Sequence, residues 1–87
     1  MTDRANKVDV RLADDLWGGA MLPEGILERW LHADQTPVSV GEAIAEVRLE
    51  GARHDILAPA AGVLHIATQA GAVVEPGTLL AQIAQPG

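Results

Sequence analysis

The sequence contains an internal repeat, and this feature restricts the possible folds more than any other. Residues 62–64 resemble residues 25–27, which lie 37 positions earlier, and residues 76–83 resemble residues 40–47, which lie 36 positions earlier. The difference of one residue falls in a turn, where an insertion has little energetic cost. Each half is too short to bury its own apolar face, so we expect the two halves to pack on each other.

The repeated segments have the pattern of strands rather than helices. Apolar and polar residues alternate over residues 8–12 and 45–49, which is the period of a strand with one buried face. Residues 26–33 also fit a helix, because Leu27, Trp30 and Leu31 have helical spacing. The turn-forming residues 33–36 that follow favour a strand instead.

We therefore predict an all-β fold, a sandwich or flattened barrel of about eight short strands with a pseudo-twofold internal repeat. Residues 8–84 are expected to form a single domain after a flexible N-terminus of residues 1–7. The core has to be built from Val, Ile, Leu and Ala, because the chain has no Phe, Tyr or Cys, and its only aromatic residues are Trp17 and Trp30. Such side chains suit the thin interior between two sheets.

The best-defined local element is a hairpin over residues 45–59. Its first strand alternates up to Glu50, and Gly51 follows at the turn, where a glycine accepts the positive φ of a tight hairpin. Pro59 ends the second strand, because proline cannot donate a hydrogen bond to a strand ladder. The turn at Glu50-Gly51 is therefore the predicted tip of the hairpin.

The composition excludes several classes of function. The net charge of −6 and the absence of a basic run argue against binding to nucleic acid or to anionic lipid. No stretch approaches the ~20 apolar residues that span a bilayer, and the N-terminal residues do not resemble a secretory signal. With no cysteine there is no disulfide or thiol chemistry. We expect a cytoplasmic protein.

No set of residues points to catalysis. Ser39 lies beside a turn without the glycines of a nucleophile elbow. Glu46 and Glu50 alternate with Arg48 along one strand, which predicts a solvated row of charges rather than a pair of carboxylates in a cleft. We therefore expect that the domain is not an enzyme.

The candidates for metal ligands are three histidines, His32, His54 and His65. His32 and His65 occupy similar places in the two halves of the repeat, so the pseudo-twofold axis should hold them at opposite ends of the domain. His54 lies near the hairpin tip and is expected to be exposed. The sequence therefore predicts solvated histidines and no metal site.

The order and spacing of several short motifs resemble the biotinyl/lipoyl attachment domains, and most closely the lipoyl domains of 2-oxo acid dehydrogenase acyltransferases. The motifs lie at residues 24–31, 40–47, 58–64 and 71–83, and the resemblance extends over about residues 8–84. It implies two roughly four-stranded sheets related by a pseudo-twofold axis, the barrel-sandwich hybrid fold. It also implies a hairpin tip at which a lysine carries lipoate or biotin as a swinging arm.

This sequence departs from the family at the attachment position. Alignment of the residues on both sides of the hairpin places Glu50 and Ala52 beside the tip and Gly51 where the family has its lysine. Lipoate and biotin are attached through an amide to a lysine amine, and glycine has no side chain. The only lysine in the chain is Lys7. The resemblance therefore implies a vacated attachment position and no bound cofactor.

The glycine-rich and proline-rich segment over residues 13–25 is predicted to be a long loop. Its apolar residues Leu16, Trp17 and Met21 either cover the open end of the sandwich or present a contact for a partner. In lipoyl domains the corresponding loop lies close to the tip and helps partner recognition. Trp30, in contrast, is expected to pack in the core.

These observations favour a non-enzymatic lipoyl/biotinyl-like domain that acts as a protein-interaction or regulatory module linked to 2-oxo acid dehydrogenase or biotin-dependent systems. One alternative is a genuine carrier that is modified elsewhere, for which only Lys7 is available. Another is a small ligand-binding or metal-binding module that uses the loop around Trp17.

Overall fold

A computed structural model of the chain describes residues 6–13 and 24–85. These residues form eight strands and no helix, which confirms the all-β prediction, and no segment in the described ranges is a helix able to cross a membrane. The strands are β1 (Asn6–Arg11), β2 (Gly25–Trp30), β3 (Pro37–Val38), β4 (Ala43–Leu49), β5 (Ala52–Leu57), β6 (Gly62–Ile66), β7 (Val73–Val74) and β8 (Leu79–Gln85). Strand β1 begins two residues before the predicted start of the domain.

The strands form two antiparallel four-stranded sheets that reproduce the repeat in the sequence. One sheet has the order β1-β8-β6-β3 and the other has the order β5-β4-β2-β7. A pseudo-twofold axis therefore relates β1 to β5, β8 to β4, β6 to β2 and β3 to β7. The predicted sandwich of two four-stranded sheets is confirmed.

Each half of the repeat contributes one short strand to the sheet of the other half. Strand β3 comes from the first half but pairs with β6, and β7 comes from the second half but pairs with β2. Neither half can therefore complete its own sheet. This exchange explains why the two halves have to fold together.

The core consists of aliphatic side chains from both sheets, as the composition requires. On β4 the residues Ala45, Val47 and Leu49 are buried, while Arg48 on the same strand is exposed. No polar or charged residue is fully buried within the described ranges. Each fully buried leucine, isoleucine or valine contributes on the order of 1.5–3 kcal/mol. The buried core is Val10, Leu12, Leu27, Val38, Ile44, Ala45, Val47, Leu49, Ile56, Ala58, Leu64, Val74, Leu80, Ala81 and Ile83, with Trp30 and Ile66 packed against it.

Two glycines at equivalent places in the repeat allow a close approach of the strands. A Cβ at Gly62 would lie 2.4 Å from the carbonyl oxygen of Ala84, and a Cβ at Gly25 would lie 2.9 Å from that of Arg48. Both carbonyls belong to the ends of central strands, β8 and β4. The start of each repeat therefore requires a residue without a side chain.

Candidate functional site at a hairpin tip

The hairpin of β4 and β5 ends in a two-residue turn. Leu49 pairs with Ala52, and Glu50 and Gly51 between them have φ angles of +48° and +86°. Positive φ at both central residues is the signature of a type I′ turn, whose twist matches that of the flanking strands. Because Leu49 is buried, with 4% of its surface exposed, the tip is fixed to the core on one side.

Gly51 is the second of the two central residues of this turn. A Cβ built on Gly51 would have no heavy atom within 4 Å. The position therefore has room for a side chain that extends into solvent, although a φ of +86° favours glycine. Glu50, Gly51 and Ala52, which the sequence predicted to flank or occupy the attachment position, are all exposed at the end of the hairpin.

The outer face of the sheet behind the tip carries a bidentate ion pair. Nε and Nη2 of Arg48 donate to the two carboxylate oxygens of Glu28 at 3.0 and 3.1 Å. These charge-assisted hydrogen bonds lower the pKa of Glu28 below its ordinary value and raise the pKa of Arg48. The pair joins β2 to β4 on the solvent side.

A second cluster of charges lies further from the tip on the same face. Nε of Arg29 donates to Oε1 of Glu46 at 2.8 Å, and Nη1 of Arg53 lies 3.8 Å from the same oxygen. The hydrogen bond to Glu46 raises the pKa of Arg29. The side chain of Glu46 is only 13% exposed. The prediction of a solvated row formed by Glu46, Arg48 and Glu50 is therefore wrong for Glu46, whose partners come from neighbouring strands.

Beside the tip lies a shallow hollow of about 190 Å³. It is lined by the apolar pair Ile26 and Val73, which are 38% and 58% exposed and lie opposite each other on β2 and β7. Arg48 and Glu24 also line it. Apolar side chains with charges at the rim are typical of surfaces that contact a protein partner.

The pseudo-twofold axis places an equivalent hollow on the other sheet. It has a volume of about 500 Å³ and its lining includes Pro37, Val63 and Ala84, which correspond to Val73, Ile26 and Arg48 at the tip. The hollow on the other sheet therefore lacks the arginine that borders the one at the tip. The two ends of the domain have the same backbone but different surfaces.

The three histidines do not come together. His32 follows β2, where its Nε2 lies 3.3 Å from a carboxylate oxygen of Glu42, and His65 lies on β6 of the other sheet, opposite Gln82. His54 lies on β5 opposite the buried Val47 and is half-buried, so the prediction of an exposed His54 is wrong. The described part of the chain contains no group of three His, Asp or Glu residues arranged to hold a metal ion.

The remaining candidates lie away from the tip or outside the described residues. Lys7 is exposed on β1 and pairs with Ala84, on the sheet that does not contain the hairpin. Leu16, Trp17 and Met21 lie outside the residues that the structure describes. The contact role predicted for them therefore stays a prediction.

Sequence reasoning missed the residues that surround the tip. The pair Ile26–Val73 and the ion pair Glu28–Arg48 each join strands that are distant in the sequence. The alternating charges at 46, 48 and 50 predicted a solvated row, whereas Glu46 and Arg48 have partners on neighbouring strands. The register of β2 on β4 determines these contacts, and no local pattern in the sequence fixes that register.

The fold and the exposed hairpin tip define a class of small β domains that present a turn for attachment or recognition. A family model described as "Biotin-requiring enzyme" matches residues 18–83. The chain belongs to this biotin/lipoyl attachment family, whose domains are carriers and not catalysts.

A solved structure supports the same fold. The chain is similar to the lipoyl domain of the 2-oxoglutarate dehydrogenase complex from Azotobacter vinelandii, with 21% sequence identity and a TM-score of 0.70. The similarity covers 92% of this chain and 99% of that domain. A comparison with curated protein sequences found no significant match.

Proposed function

We propose that this domain is a member of the biotin/lipoyl family that carries no lipoyl or biotinyl group and acts as a protein-interaction module. The observation that carries this proposal is Gly51 in the turn of the hairpin, where a side chain would have free space but none is present. Glycine offers no amine for an amide bond. The hairpin therefore keeps the shape of an attachment site, but its turn has no amine to which a cofactor could be attached.

The location of the single lysine supports this proposal. Lys7 lies within the β1·β8 ladder, opposite Ala84, and not in a turn. A swinging arm needs an attachment point that projects from the domain, as the tip of a hairpin does. The alternative of a carrier modified at Lys7 therefore has little geometric support.

The surface around the tip supports an interaction role. The exposed apolar pair Ile26–Val73 lies beside Gly51, with the charges of Glu24 and Arg48 in the same hollow. The partners suggested by the structural relative are protein components of a 2-oxo acid dehydrogenase complex. This surface would bind such a component directly rather than deliver a cofactor to it.

The test of the first part is intact-mass measurement after incubation with lipoate ligase and lipoate, and separately with biotin ligase and biotin. A lipoyl domain with a lysine at its tip is the positive control. We expect the mass of this chain to stay unchanged while the control gains one cofactor. A gain of one cofactor by this chain would contradict the proposal, and its removal in Lys7→Arg would establish the alternative carrier.

The test of the second part is an NMR titration of the isotope-labelled domain with purified 2-oxo acid dehydrogenase components. We expect amide shifts concentrated at Ile26, Gly51 and Val73. The matched control is the double variant Ile26→Ser/Val73→Ser, in which these shifts should disappear. Shifts confined to the opposite sheet, or none with any component, would contradict an interaction through the tip.

A further inference from the structure

The outer edge of β5 carries charges that are poorly paired within one copy of the chain. Strand β5 is at the end of its sheet, with β4 as its neighbour on one side. Arg53 lies directly opposite Arg48, and Asp55 lies directly opposite Glu46. Like charges in directly opposite positions destabilise a pair of strands. Each charge on β5 therefore has a like charge as its direct neighbour on β4.

Contacts within the chain relieve this repulsion only in part. Nη1 of Arg53 lies 3.8 Å from an oxygen of Glu46 that already accepts a 2.8 Å hydrogen bond from Arg29. Over residues 6–13 and 24–85, no hydrogen bond or ion pair reaches the side chain of Asp55. Asp55 is therefore available to a partner, and among the described residues Arg53 is held within the chain only by its 3.8 Å contact with Glu46.

The equivalent edge on the other sheet differs. On β1 the carboxylate of Asp9 accepts hydrogen bonds from Gln82 at 2.9 Å and from Arg11 at 3.2 Å. Arg11 also donates to the carbonyl oxygen of Gly77 at 3.0 Å. The hydrogen bond from Gln82 is the main cause that lowers the pKa of Asp9. Asp9 on β1 is thus already hydrogen-bonded, whereas, within the part of the chain that the structure describes, its counterpart Asp55 on β5 is not.

We propose that β5 pairs with β5 of a second copy of the chain, antiparallel and about a twofold axis at His54. In this register Arg53 of each copy lies opposite Asp55 of the other, so that two ion pairs form across the axis. A shift of the axis to Arg53 would place two arginines opposite each other. A shift to Asp55 would place two aspartates opposite each other. Of the three registers centred on residues 53, 54 and 55, only the one centred on His54 places opposite charges across the axis.

The backbone of β5 is compatible with this register. In a hairpin with a two-residue turn, the pair that flanks the turn is hydrogen-bonded, and hydrogen-bonded and non-hydrogen-bonded pairs alternate from there. Ala52, His54 and Ile56 therefore bond to β4, and the N–H and C=O groups of Arg53 and Asp55 point to the free edge. The twofold axis at His54 pairs these outward groups with each other.

The result is a continuous sheet of eight strands with alternating charges in each row. Arg53 would lie between Arg48 of its own copy and Asp55 of the second copy, and Asp55 between Glu46 and the second copy's Arg53. Leu57, which is 55% exposed, would lie beside Gly51 of the second copy, where no side chain stands in its way. An edge contact buries little surface, so the dimer is weak.

The association is measured by sedimentation equilibrium of the whole chain at pH 7.5, up to about 1 mM, with amide NMR spectra over the same dilution series. We expect a monomer–dimer equilibrium with a dissociation constant of about 10–1000 μM that rises several-fold at high salt. The amide resonances of Arg53, Asp55 and Leu57 should move with concentration more than those of Ala52 and His54. A chain that stays monomeric at 1 mM would overturn the proposal. A strand of another protein would then be the remaining candidate partner of this edge.

Charge reversal provides the decisive variants. Arg53→Asp and Asp55→Arg each turn both ion pairs into repulsive pairs, so each should weaken dimerisation by about tenfold or more. The double variant Arg53→Asp/Asp55→Arg restores opposite charges and should recover dimerisation. The matched control is Asp9→Arg on the edge strand β1, which should leave the dissociation constant unchanged.

The variants remain informative whatever their effect on folding. Far-UV circular dichroism and the dispersion of amide resonances establish whether each monomer is folded. The double variant has the same composition and net charge as the original chain, because its two residues are only exchanged. Recovery in the double variant supports the register. Equal dimerisation of all three variants, or loss in Asp9→Arg, would contradict it. The lipoate and biotin ligase tests measure cofactor attachment and not dimerisation, so the proposed function and the proposed dimer can each fail independently of the other.

Discussion

Trp30 is hydrogen-bonded to Thr68, so the indole joins the two halves of the repeat: its Nε1 donates to the carbonyl oxygen of Thr68 at 3.0 Å. Trp30 ends β2 and is half-buried against the core, which agrees with its predicted packing role. Trp30→Phe keeps the ring but removes the donor, so we expect a loss of about 1–2 kcal/mol of unfolding free energy. Urea denaturation measures this loss. The outer-face substitution His65→Gln should change stability by less than ~0.5 kcal/mol, and an equal effect of the two would refute the role of the indole.

Gly62→Ala should be among the most destabilising small substitutions in the chain. The new Cβ would lie 2.4 Å from a backbone carbonyl oxygen of Ala84, and a backbone atom cannot move aside as a flexible side chain can. We expect a loss of roughly 2–3 kcal/mol, measured as a lower midpoint of denaturation. Gly71→Ala is the control, because it has a φ of +94° but open space around the Cβ, and should cost about 1 kcal/mol.

The ion pair of Glu28 and Arg48 predicts part of the pH dependence of stability. The folded state lowers the pKa of Glu28 below its ordinary value of 4.5, so the folded state binds fewer protons there than the unfolded state. This contribution is fully present above that ordinary value and is lost as the pH falls through the lowered pKa. Glu28→Gln should therefore flatten the acid side of the stability profile. Arg48→Met should flatten it for the larger part, because Arg53 and Arg29 still act on Glu28, and the double variant should add nothing beyond Glu28→Gln.

Gly51 and Gly77 offer a matched pair for the attachment position. Both have a φ of +86°, and neither would place a Cβ within 4 Å of another heavy atom. A lysine at either position should therefore fold with a loss of about 1 kcal/mol. We expect Gly51→Lys to gain the mass of one lipoyl or biotinyl group with the corresponding ligase, and Gly77→Lys to gain none. Modification of both variants, or of neither, would show that the tip is not the surface that a ligase recognises.

The sequence predicted the features that depend on local pattern. Alternation identified β1 and β4, and glycine chemistry identified the turn at Gly51. The repeat indicated two equivalent halves, which the two sheets confirm. These predictions succeeded because periodicity and turn chemistry are properties of neighbouring residues.

The features that depend on register could not be predicted in this way. A bulge between Leu27 and Arg29 shifts β2 on β4, so that Glu28 meets Arg48 and Arg29 meets Glu46. Strand β3 has only two residues, and its partner Val63 lies in the other half. Long-range pairing of such short segments leaves no periodic signal in the sequence.

The pairing of Asn6 with Gln85 has a consequence for chain connectivity. The pseudo-twofold axis relates this pair to the pair of Leu49 and Ala52. Residues 6 and 85 therefore lie side by side where the other sheet has its hairpin turn, but no turn connects them. A circular permutant that joins these two residues through a type I′ turn such as Asn-Gly and is cut at Gly51 would exchange the two tips. The order of the strands along the chain would change, while every sheet neighbour would stay the same.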